Sequence, residues 1–127
     1  MGIISRKNKK GEAEYLLINT PKDYGKYTGF YYPPGGHAQK GETEKQTLIR
    51  EIREELNLAI EPVRKIVEAP GDVRGELDSW WFCRIKGGKL RARKKEIANV
   101  GYFTQKEMEK MNLWPATRKF FKKYLLK

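Results

Sequence analysis

Two spacings of apolar residues run along this chain. "GIISRK" and "AEYLLINT" hold short apolar runs separated by the polar, glycine-containing "NKKGE", which predicts two short strands joined by a hairpin. "PKDYGKYTG" reads as a loop, and "FYYPPGGHAQKGE" as a brief aromatic strand ended by Pro33 and Pro34, since proline cannot extend a central ladder. From Thr43 the spacing becomes helical. Leu48, Ile49, Ile52 and Leu56 form one stripe, with Thr43 and Gln46 at capping-box spacing. Asn57 is suited to the left-handed conformation that closes many helices.

Beyond this helix, "EPVRKIVEAP" predicts a strand, "GDVRGELD" a polar loop, "SWWFCRI" an apolar strand turning at "KGGK", and "IANVGYFT" a further strand. Thr104 and Glu107 repeat the capping-box spacing for a short helix. Pro115 suits the first turn of a last helix, in which Phe120, Phe121, Tyr124 and Leu125 oppose Arg118, Lys119, Lys122 and Lys123. Strands interleaved with two or three helices predict an α/β (α+β) fold, a mixed sheet covered by helices. The 127 residues form one expected domain, 1–127, with neither repeat nor linker.

Composition narrows the class. At 39% apolar and 34% charged residues the chain is globular, and no apolar run approaches the roughly 20 residues that cross a membrane. The N-terminus lacks the apolar segment of a signal peptide, so a cytoplasmic location without membrane partners is expected. Its single cysteine, Cys83, excludes an internal disulfide and suits a buried strand position. The formal net charge of +11 is uneven: residues 1–83 carry equal numbers of acids and bases, whereas residues 84–127 carry 14 basic residues against three acids. That last third is either an attractive field for polyphosphate or nucleic acid, or a solvated face.

Against this basic background, "REIREELN" gathers Glu51, Glu54 and Glu55 within five residues. On a helix these positions share one face, where like charges repel by a few tenths of a kcal/mol per pair. Carboxylate oxygens are hard ligands, and Mg²⁺ or Mn²⁺ would relieve the repulsion while bridging to a polyphosphate. His37, the only histidine, has no partner at zinc spacing, and no P-loop motif is present.

"GHAQKGETEKQTLIREIREELNL", residues 36–58, resembles the Nudix box, G-x5-E-x7-R-E-U-x-E-E-x-G-U with U aliphatic. Gly36, Glu42, Arg50, Glu51, Ile52, Glu54, Glu55 and Leu58 stand in register, and only the late glycine departs, as Asn57. "YYPPGG" before it is also family-like. The resemblance implies a Nudix-type α/β/α sandwich, and a MutT-like pyrophosphohydrolase that uses Mg²⁺ or Mn²⁺ to cleave a nucleoside diphosphate linked to a further group. By similarity, Glu54 and Glu55 are direct metal ligands and Glu51 is a ligand or the base. Glu42 supports a metal directly or through water, the Gly36 carbonyl completes the shell, and Arg50 orients the glutamates. Glu96, six residues before Tyr102, is a further metal candidate or a surface acid beside Lys94 and Lys95.

For substrate contacts the candidates are Tyr32 and its aromatic neighbours Tyr24, Tyr27 and Phe30, together with His37 and Trp81, each weighed against ordinary packing or exposure. The leading expectation is hydrolysis of a nucleoside triphosphate, standard or damaged, to monophosphate and pyrophosphate. Removal of pyrophosphate from an RNA 5′ end is the alternative within enzymes. A noncatalytic nucleotide- or nucleic-acid-binding module is the alternative outside them, although all four box glutamates are retained. Homodimerisation stays open.

Overall fold

The computed structural model describes residues 1–125. Its elements are β1 (Gly2–Ile3), β2 (Ser5–Lys7), β3 (Ala13–Asn19), α1 (Glu44–Leu56), β4 (Leu58–Pro70), β5 (Leu77–Gly88), β6 (Asn99–Thr104), α2 (Gln105–Lys110) and α3 (Pro115–Tyr124). A single 3₁₀ turn, Gly25–Tyr27, interrupts the loop after β3. The strands form two three-stranded sheets, β1-β5-β4 and β2-β3-β6, where one mixed sheet was expected. The first is mixed, since β1 runs parallel to β5 and β4 antiparallel to it. "GIISRK" is what divides: it breaks at Ile4, giving its first half to one sheet and its second half to the other.

Alternation of side chains across the strands separates two cores. Ile4, Leu16, Ile18 and Cys83 face α1 and meet Leu48, Ile52 and Leu56. Ile3, Leu17 and Trp80 face the other way and meet Met108, Phe120 and Phe121 from α2 and α3. Neighbours in sequence therefore serve opposite layers, as a period of two requires when both faces are covered. The result is an α/β/α sandwich. Trp80 stacks on Phe120 with ring centroids 4.0 Å apart, fixing the outer helix to the sheet. Full burial of a side chain the size of Leu or Phe contributes about 1.5–3 kcal/mol.

Both predicted capping boxes form, with Thr43 and Thr104 each exchanging hydrogen bonds with the residue three positions on. Ile49 departs from the predicted stripe, lying on the exposed flank of α1 because the four-residue steps from Leu48 to Ile52 and on to Leu56 already fill the buried face. The expected strand at Phe30–Tyr32 reduces to isolated bridges from Tyr31 to Leu113 and from Tyr32 to Ile18. Strands β4 and β5 are longer than expected, absorbing Leu58 and its partner Gly88 at one end of the pair and Leu77, opposite Pro70, at the other. Their pairing carries three register shifts, one beside Pro62, which is tolerated because β4 is an edge strand.

Candidate active site

The site is built on the outer half of α1 and the loop that precedes it. Arg50 is its organiser. Its Nε donates to Glu42 Oε2 at 2.7 Å and its Nη2 to Glu42 Oε1 at 2.9 Å. Nη1 donates to Glu51 Oε1 at 2.8 Å and to Glu54 Oε2 at 3.3 Å. Nη2 also reaches the His37 carbonyl at 3.2 Å, tying the loop to the helix. One planar guanidinium thus offsets the repulsion among three glutamates, a geometry that a lysine's single ammonium does not reproduce.

Glu42 is fully engaged. Besides Arg50, its Oε1 accepts from the Gln39 amide and the Thr47 hydroxyl. The Arg50 hydrogen bond, helped by the Gln39 N–H, holds its pKa down at about 2. Glu42 thereby anchors Arg50 through both carboxylate oxygens. Gly36 lies flat against Glu51: a Cβ there would fall 2.5 Å from the Glu51 carboxyl carbon. A side chain at this position would displace the flexible end of Glu51, so the glycine sets where the Glu51 carboxylate sits.

Glu55 behaves differently. It is one of the few buried charged residues, 7% exposed, and its Oε1 has no hydrogen-bond partner. Burial, then the nearby charges of Glu51, Glu96 and Glu54, push its pKa up to about 8. A buried carboxylate surrounded by acids lacks a compensating cation. Among the described residues no three acidic, imidazole or thiol groups surround one point as a finished ligand set. Arg50 accounts for this by drawing Glu42, Glu51 and Glu54 onto itself. It uses only one oxygen each of Glu51 and Glu54, so Glu51 Oε2, Glu54 Oε1 and Glu55 Oε1 are hard oxygen donors left over. That donor set fits a divalent cation such as Mg²⁺ or Mn²⁺.

Glu96 joins this group, close enough to raise the Glu55 pKa, and is held by Arg93 at 3.6 Å. Tyr32 also lies beside Glu55; burial first, and then the Glu55 charge, push its hydroxyl pKa upward. His37 contributes its carbonyl, and its side chain is exposed. Trp81 is not brought to the carboxylates. Its indole N–H donates to Glu44 at 2.9 Å, at the first turn of α1 and about 16 Å along the helix axis from Glu55. Trp114 went unnoticed in the sequence: Tyr27 stacks on it at 4.9 Å and Tyr24 meets it edge-on at 5.4 Å. Its only signal was an aromatic residue before the Pro115 helix start.

Asn57, the departure from the box, closes α1 at φ 59°. Its backbone explains why the left-handed conformation was kept, and its amide explains why glycine was not: Nδ2 donates to the Lys89 carbonyl at 3.0 Å. Gly88, at φ +91°, passes so close to the Asn57 carbonyl that no Cβ fits.

A family model described as NUDIX domain matches residues 1–124. The chain belongs to the Nudix family. Among similar proteins, an uncharacterised Nudix hydrolase of Listeria innocua is 27% identical over 105 residues, 80% of this chain and 61% of that protein. The NAD-capped RNA hydrolase NudC of Pectobacterium carotovorum is 26% identical over 103 residues, 81% of this chain and 38% of that protein. The Nudix domain thus spans about three-fifths or less of the length of these relatives. Among solved structures, the NUDIX domain of Shewanella oneidensis NrtR complexed with ADP ribose superposes with a TM-score of 0.73 at 15% identity, over 95% of this chain and 80% of that one. That likeness is one of fold. No helix among the described residues is long and apolar enough to cross a membrane.

Proposed function

We propose that this Nudix domain is a divalent-cation-dependent pyrophosphohydrolase that cleaves the phosphoanhydride of a nucleoside diphosphate linked to a further group, with a nucleoside triphosphate as the leading substrate. The observation that carries the reading is the buried, unpartnered Oε1 of Glu55 among Glu51, Glu54 and Glu96. The names of the relatives agree with it, since NAD caps and ADP ribose both contain a phosphoanhydride. Retention of Glu42, Glu51, Glu54 and Glu55 favours an enzyme over a binding module.

In this reading Glu54, Glu55 and the free oxygen of Glu51 would hold Mg²⁺ or Mn²⁺, with Glu96 as an additional donor. When bound, the cation supplies charge neutralisation for the phosphates and lowers the pKa of water. Arg50 keeps Glu51 and Glu54 from rotating away, and Gly36 leaves room for Glu51 at the mouth. A carboxylate of this group, Glu51 or Glu54, accepts the proton of the attacking water. The water oxygen bonds to phosphorus as the bridging P–O bond breaks, and the leaving phosphate or pyrophosphate takes the electron pair. Tyr32, half-buried beside Glu55, would contact the nucleotide in this reading.

Monophosphate and pyrophosphate release from a nucleotide panel, with and without Mg²⁺, tests this directly. Glu54→Gln should lower turnover at least a hundredfold while the fold persists. Cation-independent turnover, or none across the panel, would leave a nucleotide-binding module instead.

A further inference from the structure

The basic excess of the chain has a structural counterpart next to the carboxylates. Residues 89–95, between β5 and β6, form a strap laid across the C-terminal end of α1. The Arg91 amide donates to the Leu56 carbonyl at 2.9 Å, and the Arg93 amide to the Glu55 carbonyl at 2.8 Å. Asn57 Nδ2 holds Lys89. These bonds satisfy carbonyls that a helix end leaves open, and they use main-chain atoms of the strap throughout. The strap's side chains take no part in these bonds. Ala92 packs inward against the α1 core, and Arg91 and Arg93 on either side of it are exposed.

Among the described residues, Arg93 pairs with Glu96, whereas Lys89, Arg91, Lys94 and Lys95 are exposed and form no ion pair. One or two cations at a helix C-terminus are accounted for by the helix dipole. A run of neighbouring cations repels itself and creates a field that calls for an anion. The cations of α3 do not contribute, because that helix packs on the opposite layer.

We propose that the strap is a docking surface for single-stranded RNA, placed so that the strand's 5′ phosphoanhydride lies at the α1 carboxylates; this rests on the function proposed above. Residues 89–93 span up to about 14 Å before the chain turns at Arg93, where the Glu96 and Ile97 amides donate to its carbonyl. Such a length suits several successive phosphates of a strand, beyond the phosphate tail of a mononucleotide. A nucleic-acid strand bearing a phosphoanhydride at its 5′ end is one started from a nucleoside triphosphate, which is the chemistry of RNA. Asn57 in place of glycine is then the device that couples the end of the box helix to the strap.

The test has a binding arm and a turnover arm. Binding of a fluorescent, 5′-monophosphorylated RNA oligomer without divalent cation is followed from about 50 to about 200 mM salt. Four strap cations predict a log–log slope near −3, an affinity loss of about fiftyfold, at roughly 0.7 per phosphate neutralised on a single strand. Combining Arg91→Gln, Lys94→Gln and Lys95→Gln should reduce the loss to about threefold. The strap stays docked in this variant because its main chain holds it, and the melting temperature verifies that. Asn57→Gly, which loosens the strap without removing charge, should weaken RNA binding as well. An unchanged slope in the triple variant would overturn the proposal, as would competition by inorganic tripolyphosphate as strong as that by RNA. In the turnover arm, kcat/KM for a 5′-triphosphorylated RNA should exceed that for the mononucleotide and fall in the triple variant. If nucleotides are hydrolysed but RNA is no better, this inference fails and the proposed function stands; if RNA binds as described but no phosphoanhydride is cleaved, the proposed function fails and the docking surface stands.

Discussion

Glu55→Gln is the most informative single change, because its effect on stability should grow with pH and shrink with cation. In the folded, cation-free chain the Glu55 carboxyl keeps its proton to about pH 8, whereas the unfolded chain releases it near 4.5. Between those values the folded state binds more protons, so stability falls as pH rises. At 1.36 kcal/mol per pH unit, the loss from about pH 5 to about pH 8 amounts to as much as about 4 kcal/mol. For a chain of this length that is a drop of about 10–15 °C in melting temperature. Glutamine imitates the neutral acid and does not titrate. Wild type and variant should therefore melt within a few degrees of each other at pH 5, and the variant should melt about 10 °C higher at pH 8.5. Every other titrating group is common to both proteins, so differential scanning fluorimetry in EDTA isolates this carboxyl. Saturating Mg²⁺ or Mn²⁺ should then close most of this gap: a ligand at a hundred times its Kd stabilises the native state by about 2.7 kcal/mol, in the wild type alone. Parallel melting curves for the two proteins across the pH range would refute the claim that Glu55 is buried without a compensating charge.

Other changes probe separate parts of the account. Gly36→Ala should lower kcat more than tenfold with little change in melting temperature, since its Cβ can be accommodated only by moving the Glu51 carboxylate, and steady-state kinetics beside a melt would show the split. Arg50→Lys should also lower turnover at least tenfold, because a lysine cannot hold Glu42, Glu51 and Glu54 together; the Glu42 contribution to stability, present at neutral pH and lost as pH falls from 4.5 toward 2, should shrink with it in acid titrations of the fold. Phe120→Ala, on the far layer, should cost about 3–5 kcal/mol in urea unfolding through loss of the Trp80 stack.

Much of this architecture could be read from local signals. Capping pairs and helical spacing located α1 and α2 almost to the residue, because Thr43 with Gln46 and Thr104 with Glu107 are short-range arrangements. The box register likewise placed Arg50 among its glutamates, since an i+4 partner is a property of one helix. What could not be read was set by tertiary pairing. Nothing within "GIISRK" says that Ile3 and Ile4 serve opposite cores, or that the segment splits between two sheets. The length of β5 was hidden by its polar ends, which pair with β4 regardless of propensity. Trp81 carried a plausible stacking ring, but its position is decided by a hydrogen bond to Glu44, distant in sequence. The different fates of Glu42, saturated with donors, and Glu55, left with an orphaned oxygen, depend on burial that four similar letters do not encode.

In the function proposed above, the leftover oxygens of Glu51, Glu54 and Glu55 hold a divalent cation against a phosphoanhydride. Titration of the chain with Mn²⁺, followed by electron paramagnetic resonance in the presence of a nonhydrolysable nucleoside triphosphate analogue, reads this without relying on turnover. Bound Mn²⁺ is expected in the wild type, lost or weakened at least tenfold in both Glu54→Gln and Glu55→Gln. Mn²⁺ binding of equal strength in the wild type and both variants, or no binding in any of them, would contradict it.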